Sequence, residues 1–129
     1  MMQLTAQTRI LLSVNPADFR AGIDGLCRLC RAELAADPFS GTVFVFRNRR
    51  GTSVKLLAYD GQGYWLCQKR LSSGSFRYWP DRSGCDGHSA AMVLLAHELQ
   101  VLLMGGNPAA ARTAPLWRPI VATTAAVAV

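Results

Sequence analysis

Apolar and polar positions along the chain fall into runs of two different periods. The stretch RILLSV, Arg9 to Val14, is nearly all aliphatic and stops at Asn15-Pro16, which predicts a short strand. Asn15 or Asp18 can accept a hydrogen bond from the free amides of a first helical turn, and Pro16 suits a first helical position. Phe19, Ile23, Leu26, Cys27, Cys30 and Leu34 then recur at offsets of three and four, the pattern of a helix with one buried stripe. Gly22 and Gly25 each weaken such a helix by roughly 1 kcal/mol relative to Ala. They predict a late start or the close approach of another backbone. Asp37-Pro38 ends the helix, because proline disfavours helical geometry in the residue before it.

The middle of the chain changes to the rhythm of strands. Thr42 to Phe46, Ser53 to Tyr59, Tyr64 to Leu71 and Ser75 to Trp79 are rich in β-branched and aromatic residues. They are separated by turn residues at Asn48 to Gly51, Asp60 to Gly63 and Ser72 to Gly74. Asp81 to Gly87 reads as a loop. A second helix is expected from Ser89 or Ala90 to Met104, striped by Met92, Leu95, Ala96, Leu99, Leu102 and Leu103 and ended by a left-handed cap at Gly105-Gly106. The expected class is α+β: a small antiparallel β-meander sheet with two helices packed against it. Residues 1–106 form one domain and residues 107–129 a Pro/Ala-rich tail, expected to be mobile. Trp117, within Leu116-Trp117-Arg118-Pro119, is a candidate anchor for a partner or for the domain itself.

Charge adds a direction to this plan. Fourteen Lys and Arg against eight Asp and Glu give a formal charge of +6. Between Phe39 and Arg82 the cations are Arg47, Arg49, Arg50, Lys55, Lys69, Arg70, Arg77 and Arg82 and the acids Asp60 and Asp81, so 8 − 2 = +6 lies in this segment and the remainder sums to zero. Arginine forks bond phosphate bidentately, and Tyr59, Tyr64, Trp65, Tyr78 and Trp79 stand among these cations. Cations on phosphates with rings available for stacking make a nucleic-acid surface. The same residues also fit plain strand propensity and a solubilising surface. The candidate nucleic-acid contacts are Arg47, Arg49, Arg50, Lys55, Lys69, Arg70 and Arg77, and Trp79 and Trp117 are candidate partner contacts.

Other chemistries find less support. Cys27 and Cys30 form one CxxC pair, but Cys67 and Cys85 stand far apart, and both paired cysteines fall on the apolar stripe, where they read as small hydrophobes rather than zinc ligands. His97 has no cysteine or histidine at ligand spacing. The eight acids show no trio able to hold two divalent ions, and neither His88 nor His97 falls in a nucleophile motif. No catalysis, metal or cofactor is expected. No apolar run reaches the ~20 residues of a membrane span, and the first one lacks a signal peptide's basic leader, so a cytoplasmic protein is expected.

The run RRGTSVKLLAYDGQGYWLCQKRLSSGSFRYWP resembles the small accessory proteins of insertion sequence 66 (IS66) transposons. Asp18-Phe19-Arg20, Gly22 to Leu26, Phe44 to Phe46 with its arginines, and Leu99 to Trp117 extend the likeness over roughly Arg9 to Pro119. Phe19, Ala21 and residues 83–88 depart from the family's usual residues. The resemblance implies a mobile-element protein that works with a larger transposase encoded beside it, the strand-cutting carboxylates belonging to that partner. Two roles follow as expectations: contact with DNA through the arginine hairpin and cationic strands, or adaptor binding of the transposase without direct DNA contact.

Overall fold

The computed structural model describes residues 4–81 and 90–110. Its elements in chain order are β1 (Ile10–Ser13), α1 (Ile23–Ala32), β2 (Val43–Arg47), β3 (Ser53–Tyr59), β4 (Tyr64–Arg70), β5 (Ala91–Leu94), α2 (Ala96–Leu103) and a 3-10 turn, Pro108–Ala110. The five strands form one sheet in the order β4-β3-β2-β1-β5. The class is α+β, as the patterning predicts, but the sheet is mixed. β1 and β2 run parallel, with α1 crossing between them, and the other pairings are antiparallel.

The two faces of the sheet bury two separate cores. Ile10, Leu12, Val43, Val45, Val54 and Leu94 meet Leu99 and Leu102 of α2. Leu11, Phe44, Phe46 and Leu57 meet Leu26, Cys27 and Cys30 of α1. Because a helix covers each face, β1 and the first four residues of β2 are buried throughout rather than alternately, as strands enclosed on both sides must be. Edge strand β4 is mostly exposed, with only Tyr64 and Leu66 turned partly inward. No helix among the described residues is long and apolar enough to cross a membrane.

Three expectations change. α1 begins at Ile23 with Gly22 as its N-cap, because the Asn15-Pro16 segment is held elsewhere: Ala17 N–H donates to Arg47 O at 2.8 Å. The late start is the one of the two glycine readings that the helix follows, and at Gly25 a Cβ would stand 2.7 Å from the side chain of Ala21 rather than against another backbone. Ser75 to Trp79 is not a fourth meander strand. Its groups are taken singly, Phe76 N–H by Gly51 O at 2.7 Å and the Trp79 indole N–H by Ser13 O at 3.0 Å. Finally, Ala91–Leu94 is a strand rather than the first turn of the second helix, pairing with β1 over its whole length. α2 closes as expected: Gly105 N–H bonds Leu102 O and Gly106 N–H bonds Val101 O, around a left-handed Gly105 at φ 84°. The fold continues beyond Gly106 with Pro108 buried. The loop from Arg82 and the remaining tail with Trp117 lie outside the described residues.

Candidate nucleic-acid interface

The hairpin joining β2 to β3 is built by Asn48. Its Oδ1 accepts the amides of Thr52 (2.9 Å) and Ser53 (3.1 Å), its Nδ2 donates to Thr52 Oγ1 (3.0 Å), and its carbonyl receives Gly51 N–H (3.1 Å). Gly51 takes φ 70°, which closes a tight turn of this kind and which a side chain rarely tolerates. With both ends of the turn fixed by Asn48 and Gly51, Arg49 and Arg50 occupy its tip and are exposed.

The sheet and the next loop bring more arginine to this end. Arg70 at the close of β4 pairs in register with Ser53, the first residue of β3, and Leu71 N–H donates to Thr52 O at 2.9 Å. The bond from Phe76 to Gly51 O then lays the loop carrying exposed Arg77 and Tyr78 against the turn. Arg47 ends β2 on the face shared by Val43 and Val45. It is half-buried, and its Nε is enclosed with no hydrogen-bond partner. Burial holds its guanidinium below the ordinary arginine range.

Asp18 lies within reach of Arg49's charge and is already matched. Asp18 receives a fork from Arg20, Nη2 to Oδ2 at 2.9 Å and Nε to Oδ1 at 3.1 Å. That bond, reinforced by Arg20's own amide and more weakly by the charge of Arg49, holds the Asp18 carboxyl at about 2. Arg49, Arg50, Arg70 and Arg77 make no ion pair among the described residues.

The other described candidates, Lys55, Lys69 and Trp79, are committed to bonds within the chain. Lys55 is 7% exposed. Its Nζ donates to Phe19 O at 3.0 Å and Ala21 O at 3.4 Å and lies 4.8 Å from the Phe19 ring centre, so it fastens the segment before α1 to the sheet. Lys69 Nζ donates to Leu103 O, the last carbonyl of α2, at 2.6 Å. Cation there complements the helix dipole. Trp79 packs on the α2 core with its N–H spent on Ser13.

The aromatic residues expected among the cations are mostly at the opposite end of the sheet. Tyr59 and Tyr64 flank the β3–β4 turn and contact Phe39, and Trp65 donates to Asp60 Oδ2 at 2.8 Å. Seven-residue strands separate this turn from the arginines by roughly 20 Å. Tyr78, 47% exposed beside Arg77, is the ring available at the basic end. Nothing in local sequence distinguished it from Trp79, since only the long-range bond to Ser13 does so. The half-burial of Arg47, by contrast, was legible in its alternation with Val43 and Val45.

The remaining chemistry is sparse. Cys27 and Cys30 are buried in α1, and burial pushes the Cys30 thiol up to about 12, which keeps it protonated and unreactive at neutral pH. Among the described residues no three His, Cys, Asp or Glu stand together as a metal site. A cleft of about 630 Å³ opens between the end of α1 and β5, lined by Arg9, Leu34, Asp37, Ser40, Thr42 and Val93 among others. Its carboxylate, Asp37, accepts Phe39 N–H at 2.9 Å.

Comparison with known proteins gives a consistent picture. A family model described as IS66 Orf2 like protein matches residues 8–113, which include every element of the fold. Two proteins of Sinorhizobium fredii (strain NBRC 101917 / NGR234) are similar. Uncharacterized protein y4jC is 34% identical over 111 residues, 86% of this chain and 90% of that protein. Uncharacterized protein y4hO is 34% identical over 97 residues, 75% and 79% of the two chains. No solved structure matches the chain.

Proposed function

The chain belongs to the IS66 Orf2-like family of transposition accessory proteins, and from that premise we propose that it is a non-catalytic DNA-backbone binder that assists a separate transposase. The observation that carries this reading is the gathering of Arg49, Arg50, Arg70 and Arg77, exposed and without ion pairs among the described residues, at one rigid end of the sheet. The turn, the register of β4 and the bond to Gly51 O fix their backbones, so little ordering is needed when phosphates arrive. Neither helix of the described residues carries Arg49, Arg50, Arg70 or Arg77 to base edges in a groove, so the contacts are to phosphate and independent of sequence. Asp18, Asp37, Asp60 and Glu98 accept turn or helix-start amides, and among the described residues no three His, Cys, Asp or Glu stand together to hold metal ions, so this reading leaves strand cleavage to the partner.

Fluorescence-anisotropy titration with a labelled transposon-end duplex and a scrambled duplex tests this. Wild type should bind both with similar affinity, and the R49A/R50A variant, folded as judged by circular dichroism, should bind both at least about tenfold more weakly as two phosphate contacts are lost. Absence of binding by folded wild type at low salt would remove the reading.

A second reading draws on a different surface. Val93, 63% exposed, lines the cleft beside β5 together with Leu34 and Met92, and an exposed apolar residue at a concave site suits a protein contact. There the chain would act as an adaptor for the transposase. A pull-down with the transposase, lost on V93D but kept in R49A/R50A, distinguishes it from the DNA reading.

A further inference from the structure

Arg47 differs from the four arginines around it. Its carbonyl is held by Ala17 N–H at 2.8 Å, and Val54 stands across from it in the sheet. The side chain is half-buried on the α2 side, with Nε sealed from solvent and bonded to nothing. Guanidinium donors seldom go unpaired in a protein interior, because the lost bond to water is not replaced. Burial depresses the pKa of this group, so the free protein carries a standing cost at this position. An exposed arginine must give up bonds to water when it meets an anion. The Nε of Arg47 has none to give up.

Resting on the DNA-backbone reading, we infer that Arg47 is the principal phosphate clasp of the basic end. Rotation about its terminal torsions brings Nε–H and a terminal amino group side-on to the two free oxygens of one backbone phosphodiester, the bidentate geometry that lysine cannot supply. Arg49, Arg50, Arg70 and Arg77 then attract the strand as charges, while Arg47 fixes its register on the protein. A phosphate monoanion is a better match than a carboxylate surface because the surrounding arginines can engage neighbouring phosphates along one strand.

The test separates fork from charge. R47K, R49K and R50K each keep the charge, so the slope of log affinity against log salt should stay unchanged in all three. R49K and R50K should bind the duplex within about twofold of wild type, and R47K about tenfold more weakly. An R47K variant within twofold of a salt-sensitive wild type overturns the inference and leaves the interface standing. A wild type that does not bind takes down the interface and this inference together. Should R47K fold poorly, the arginine Nε–H spectrum of wild-type protein decides. The Arg47 Nε–H resonance, assigned in wild-type protein by through-bond correlation from its own backbone amide, should shift on addition of duplex, and inorganic phosphate should shift it in the same direction at higher concentration. No shift with duplex, or an equal shift with poly-glutamate, overturns the assignment to phosphate.

Discussion

Lys55 and Arg49 carry the same charge and sit within one hairpin, yet the fold gives them opposite tasks. Lys55 spends its ammonium on Phe19 O and Ala21 O, partners 36 and 34 residues away in sequence. No local pattern could announce that contact, whereas the position of Arg49 between Asn48 and Gly51 makes its exposure readable from turn chemistry alone. The distinction is measurable. K55A should lower unfolding free energy by about 2 kcal/mol or more, since two carbonyls lose a charged donor and the buried stem leaves a void. Its affinity for duplex should stay within twofold of wild type where both are folded. R49A should show the reverse, with stability within about 0.5 kcal/mol and weaker binding. Urea unfolding alongside anisotropy checks both, and an unchanged stability for K55A would mean that its internal bonds contribute nothing.

At the scale of elements, what was legible depended on whether partners were close in sequence. β3 and the β3–β4 turn follow from alternation and from Asp60-Gly61, and the arrest of α2 follows from Gly105-Gly106. β5 does not. Ala91 to Leu94 is a short apolar run that fits a strand or a buried helical turn equally well, and its pairing with β1 lies some eighty residues back in the chain. Ser75 to Trp79 fails in the opposite sense: strand-forming residues are claimed by Gly51 and Ser13, one bond at a time. The cap of α2 offers a clean check. G105A places a Cβ at φ 84° and should cost about 1 kcal/mol or more, seen as a lower urea midpoint at unchanged slope. A neutral outcome would mean that the helix end relaxes into another geometry. Lys69 provides a further fixture at this point, tying the same helix end to β4 through Leu103 O.

For the whole molecule, the mixed sheet with a helix on each face explains where function can reside. Both broad faces are consumed by cores, so the candidate surfaces are the two ends and the edges. The seven-residue strands β3 and β4 separate the aromatic end from the arginine end. The confinement of the chain's excess charge to Phe39–Arg82 was visible in composition. The division of its described cations into four exposed arginines, one half-buried arginine and two structural lysines required the fold, Arg82 lying outside the described residues. That division also sharpens the expected salt dependence, because only contacts that meet phosphate release counterions. The measurement that tests the central claim most directly is therefore duplex affinity between 50 and 200 mM salt, for wild type and for the quadruple variant R49A/R50A/R70A/R77A. Phosphate contacts from these four arginines and from Arg47 predict a log–log slope near −4.5 and a loss of roughly 500-fold across this range for wild type, against a slope near −0.9 and much weaker binding for the variant. A wild type whose binding ignores salt, or a folded quadruple variant that binds as wild type does, would contradict the assignment of the arginine end to DNA.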